Sequence, residues 1–118
     1  MNEQNESQGR IEVSPTAVAS LAREAVLRSY GVVGTVPPNL AAGIANILSR
    51  DSQQGVIVQV RDHEIIIDLY IVVEYGTRIA SVARSAMNLV KYTVEKALGV
   101  PVTEVNVHIA DVHISDPD

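Results

Sequence analysis

The strongest constraint in this sequence is the alternation that runs from Val56 to Glu74. Val56, Val58 and Val60 alternate with Ile57, Gln59 and Arg61. Ile65, Ile67, Leu69, Ile71 and Val73 then alternate with Ile66, Asp68, Tyr70, Val72 and Glu74. A period of two over this length specifies strands with one buried face. Asp62-His63 falls where a two-residue turn would sit, although it lacks the favoured glycine. With that turn, Val60 opposes Ile65, Val58 opposes Ile67 and Val56 opposes Leu69. All six lie on one face, so the turn and the hydrophobic pattern specify the same register.

Such a hairpin must bury its apolar face against something else, and the rest of the chain offers helices. Ser14-Pro15 is a helix start, with a capping oxygen followed by a proline at the first helical position. Val18, Leu21, Ala22, Ala25, Val26 and Ser29 recur at helical spacing, and Gly31 marks the expected end. Residues 31–38 form a turn-rich link, and Asn39 starts a shorter second helix running to about Ser49. The longest helix follows Gly76-Thr77, with Thr77 as its expected cap. Ile79, Val82, Ala83, Ala86, Val90, Thr93, Val94 and Ala97 form its apolar stripe. Gly99 and Pro101 end it. A last strand begins near Val102, and its alternation slips at Ala110-Asp111, as a bulge would produce. Ile11 to Val13 has the pattern of a short leading strand.

These elements predict an α/β (α+β), two-layer domain. Its sheet is mixed and three- or four-stranded, with helices packed mainly on one face. The strand–helix–strand unit from Ile65 to Ile109 places its two strands parallel. Residues 10–114 form the domain, between a polar disordered tail at 1–9 and a short tail at 115–118.

Composition narrows the function classes. Nearly half the residues are hydrophobic, but there is no Trp or Phe. The aliphatic core therefore comes without the aromatic platform that single-strand nucleic acid binders use. A net charge of −5 argues against nucleic acid as a partner and against anionic lipid. The absence of cysteine excludes disulfides, thiol catalysis and cysteine metal sites. No apolar run reaches the roughly 18 residues that a membrane span needs, which argues against direct membrane insertion. The polar start has no signal-peptide core, so the expected location is cytoplasmic.

The motifs carry little chemistry. No nucleophile and base, no acid/base carboxylate pair and no phosphate-cradling glycine loop can be read, so the chain is expected to be non-enzymatic and without a cofactor. His108, Asp111 and His113 have a spacing that could hold a metal. Residues five apart on a strand point to opposite faces unless a bulge realigns them, so the expectation is no metal site. Asp68 lies mid-strand on the face away from the core, within reach of Arg61, Arg78 or a helix N-terminus. Gly31-Val32-Val33-Gly34 has the Gly-x-x-Gly form with which some RNA-binding modules clamp a backbone between two helices. Gly31 and Gly34 are therefore the alternative, RNA-binding site. Two valines stand where a basic residue is usual. The leading candidate is the non-core sheet face, where Ile57, Ile66, Asp68, Tyr70 and Val72 mix apolar and polar groups. That pattern marks an interaction surface unless the second helix wraps over it.

Several of these segments together resemble a known family. They are Ile11-Glu12-Val13 followed by Ser14-Pro15, Gly31-Val32, Gly55-Val56, the run from Ile65 to Gly76, the Ile-x-x-Val-Ala of the long helix, and Val105-Asn106-Val107-His108-Ile109. The resemblance is to the alkaline shock protein family, also called the Gls general-stress family, of mainly Gram-positive bacteria. It covers residues 10–114. It implies a small cytoplasmic protein of cell-envelope stress and homeostasis. Such a protein acts by self-association as a homo-oligomer, or by docking on a membrane-anchored protein partner at the inner membrane face. It implies no catalytic residues. Some members carry long charged tails, and this chain has only a short polar N-terminus.

Overall fold

The computed structural model describes residue 9 and residues 12–37, 54–61 and 64–115. In chain order these contain α1 (Pro15–Leu27), β1 (Val32–Thr35), β2 (Val56–Arg61), β3 (Glu64–Glu74), α2 (Ile79–Leu98) and β4 (Glu104–His113). The expected second helix at 39–49, the Asp62-His63 turn and Ile11 lie outside the described residues. Glu12 and Val13 do not form a strand.

β3 organises the sheet. β2 pairs antiparallel with its first half in the register the alternation specifies, Val56 with Leu69, Val58 with Ile67 and Val60 with Ile65. β4 lies parallel along the other edge. β1 pairs antiparallel with the second half of β3, on the edge that β2 occupies further down. β1 and β2 therefore meet end to end beside Tyr70. The Tyr70 N–H donates to the Gly55 carbonyl at 2.8 Å, and the Tyr70 carbonyl accepts from the Val36 N–H at 3.1 Å.

β1 corrects the expected link at 31–38. Helix α1 stops at Leu27, with Arg28 as its C-cap, rather than running to Gly31. The chain then turns through Ser29 and Gly31, whose φ is +86°. Val32, Val33 and Thr35 are β-branched residues suited to a sheet edge, but four residues are too few to show a period.

Helix starts follow local chemistry in one case and not in the other. The Ser14 hydroxyl accepts from Thr16 and Ala17 N–H groups, as an N-cap does. For α2 the N-cap is Arg78, not Thr77. The Thr77 hydroxyl is already donating to the Glu74 carbonyl at 2.7 Å, closing the turn after β3. Gly99 ends α2 in the left-handed conformation. The Glu95 carboxylate accepts the Val102 N–H at 2.8 Å and fastens the link to β4.

Both helices cover the same face of the sheet. Val18, Ala22, Ala25 and Val26 of α1 and Val82, Ala86, Val90 and Val94 of α2 are buried against it. From the sheet, Val56, Val58, Ile65, Ile67, Leu69, Ile71, Val73 and Val105 complete the core. The expected two-layer α/β domain is the observed one, with a mixed four-stranded sheet among the described residues. The turn after α1 runs close against α2. A Cβ on Gly31 would lie 2.6 Å from a Val82 methyl.

Candidate functional site: the outer face of the sheet

The alternation that buries one face of each strand sends the other set outward. On β2 and β3 that set includes Ile57, Ile66, Asp68, Tyr70, Val72 and Glu74, all partly buried. Ile57 stands opposite Asp68. The five residues singled out from the sequence thus form one contiguous surface, over which no described helix packs. Gly31 and Gly34 do not frame a loop between helices. Gly34 lies inside β1, paired with Val72.

β4 contributes a part of this face that the candidate set read from the sequence did not include. Its register runs Ile66 with Glu104, Asp68 with Asn106 and Tyr70 with His108, then shifts so that Val72 pairs with Asp111 and Glu74 with His113. Parallel neighbours share a face, so Glu104, Asn106, His108, Asp111 and His113 all point outward. The extra residue, Ala110, is the bulge signalled by the slip in alternation. It brings both histidines to one side. The Asp111 carboxylate closes the bulge by accepting the Val112 N–H at 2.7 Å.

Two histidine–carboxylate pairs result. His108 Nε2 lies 3.0 Å from Asp68 Oδ1, and its ring stacks on Tyr70 with centroids 4.4 Å apart. Asp68 therefore pairs across the parallel ladder, not with Arg61, Arg78 or a helix N-terminus. Arg61 sits 3.9 Å from Glu64 instead. His113 Nδ1 lies 3.3 Å from Glu74 Oε1, and the Ser115 hydroxyl donates to Glu74 Oε2 at 2.6 Å. Asp68 and Glu74 stand six positions apart on β3, roughly 20 Å along the strand, so the two pairs are too far apart to share one ion. Among the described residues no group of three or more His, Asp or Glu side chains is placed to hold a metal. The signal for these pairs was available only through the β3–β4 register, which local sequence does not carry.

Glu74 has a pKa below the usual carboxylate value. The Ser115 hydroxyl bond is the largest cause and the His113 bond the next. A carboxyl whose pKa is lowered on folding adds stability above its unfolded value, and that contribution is lost as pH falls through the folded value. The end of β4 is therefore expected to loosen in acid, below the ordinary carboxylate pKa. Amide exchange at residues 113–115, followed from pH 6 to pH 3, should accelerate beyond the intrinsic trend in the native chain and not in Glu74→Gln. Equal pH profiles for the two proteins would refute this.

No helix among the described residues is long and apolar enough to cross a membrane. Among solved structures, the fold is similar to a MamM CTD variant, with a TM-score of 0.52 at 16% identity over 87% of this chain and 100% of that one. A copper form of another MamM CTD variant gives the same TM-score at 14% identity, again over 87% and 100%. At such identity the likeness concerns the fold alone. In sequence, the chain is 36% identical to the uncharacterized protein YloU of Bacillus subtilis strain 168, over 92% of both chains. It is 28% identical to the uncharacterized protein Spy1614 of Streptococcus pyogenes, over 93% of both. The model of the alkaline shock protein 23 family, described by a cell envelope-related function, matches residues 3–114, and the chain belongs to that family.

Proposed function

We propose that this protein is a non-enzymatic interaction module of cell-envelope stress homeostasis. It works through the outer sheet face, by self-association or by docking on a membrane-linked partner at the cytoplasmic side of the membrane. The supporting observation is the placement of Ile57, Ile66, Tyr70 and Val72. These are apolar groups interleaved with carboxylates and histidines on the sheet side that carries no described helix. A surface with an apolar centre and a polar rim gains most of its binding energy from a few central residues.

Ile66→Asp and Val72→Asp test this reading. Each places a charge at the centre of the face while leaving the core untouched. Light scattering across a concentration series, together with affinity capture that includes the membrane fraction, should show association weakened by about 2 kcal/mol, some thirtyfold. Circular dichroism should show a folded domain. Variants that stay folded and associate as before would remove the outer face from consideration.

A further inference from the structure

Charge is divided between the two layers of this domain. Helices α1 and α2 with their caps carry Arg23, Arg28, Arg78, Arg84, Lys91 and Lys96 against Glu24 and Glu95. The outer sheet face carries Glu64, Asp68, Glu74, Glu104 and Asp111 against Arg61, with His108 and His113 the titratable remainder. The acidity of the whole chain understates how acidic this face is.

β4 is also an open edge. Among the described residues its one strand partner is β3. It extends for ten residues. The helices do not fully shield its core-facing side, where Ile109 is 37% exposed, and Ile114 just beyond it is 67% exposed. An edge of this kind is a template for one further strand. The side chains of an added strand would alternate between two environments. Those beside Glu104 and Asp111 would meet carboxylates, and those beside Val107 and Ile109 would meet aliphatic surface.

We infer that the partner docks on this edge as an extended segment of another protein in which basic residues alternate with aliphatic ones. This deepens the proposed docking role of the sheet and rests on it. Main-chain hydrogen bonds to β4 supply attachment, and the carboxylates of the outer face supply selection and steering.

The probes are two eight-residue peptides, one alternating lysine with valine and one alternating glutamate with valine. Each is titrated into the isotopically labelled full chain and followed by amide chemical shifts. The lysine peptide should bind saturably, shifting residues 104–113, with affinity falling on the order of tenfold between low and physiological salt. The double variant Glu104→Gln, Asp111→Asn should weaken it about tenfold, since the amide at 111 keeps the acceptor that closes the bulge. Glu24→Gln, on the helical layer, should leave it unchanged. Absence of shifts in β4 at low salt, equal binding of both peptides, or indifference to the double variant would each overturn the inference. So would concentration-dependent assembly of the protein alone that the double variant abolishes, because the edge would then receive the basic helical layer of a second copy. Loss of association in Ile66→Asp without lysine-peptide binding would leave the outer face standing and dismiss this partner chemistry. Peptide binding without an Ile66→Asp effect would do the reverse.

Discussion

Gly55→Ala is expected to destabilise the domain by about 2–4 kcal/mol, although it adds a single methyl group. Two separate costs combine. The backbone at Gly55 has a φ of +102°, a conformation that L side chains rarely adopt. The new Cβ would also lie 2.6 Å from the Val36 carbonyl oxygen and 2.9 Å from the Val36 nitrogen. Those are backbone atoms of the segment that follows β1, and they are held in place by the Val36–Tyr70 bond. Relief therefore requires β1 and β2 to separate. Gly34→Ala is the internal control. Its φ lies outside the left-handed region and nothing stands within 4 Å of its Cβ position. Alanine in a strand interior is favoured over glycine by roughly 0.5–1 kcal/mol, so that variant should match or exceed the native stability. Denaturant unfolding of the three proteins decides the matter. Similar midpoints for Gly55→Ala and the native chain would mean that β1 and β2 do not abut as described.

Leu69→Ala should cost about 2–5 kcal/mol and lower Tm by at least ~10 °C for a domain of this size. Leu69 is fully buried. It sits at the middle of the central strand, with Val56 beside it on one edge and Val107 on the other. Its removal leaves a cavity bounded by three strands and the helices above them, and a sheet fixed on both sides cannot collapse into it. Tyr70, the next residue, points the opposite way and stacks on His108. Tyr70→Ala should be the milder change in thermal stability and the more severe one in association. Thermal melts and light scattering on the same pair of variants separate the two faces. Equal losses of stability would contradict the division into a core face and a contact face.

The two largest effects illustrate different kinds of information. The burial of Leu69 is legible in the sequence, because a period of two over β2 and β3 admits one inward set. That set, with a short turn, also specified the hairpin register. The capping serine at Ser14, the stripe of α2, the αL stop at Gly99 and the bulge at Ala110 are equally local. Each depends on residues within a few positions of one another. The outward set of Ile57, Ile66, Asp68, Tyr70 and Val72 follows from the same alternation, so the candidate face was visible before any coordinates.

The role of Gly55 was not visible, and neither was β1. A four-residue strand has no period of its own, and it exists because half of one edge of β3 was left open by the shorter β2. The partners of Asp68 and Glu74 were hidden for the same reason. His108 and His113 lie about forty positions away, and only the parallel register of β3 and β4 brings them alongside. Sequence by itself determined which side of each strand faces the core, because burial of aliphatic groups is decided residue by residue. Tertiary structure decided which strands share an edge and which side chains meet on the outer face, because those depend on how distant segments are aligned across the sheet.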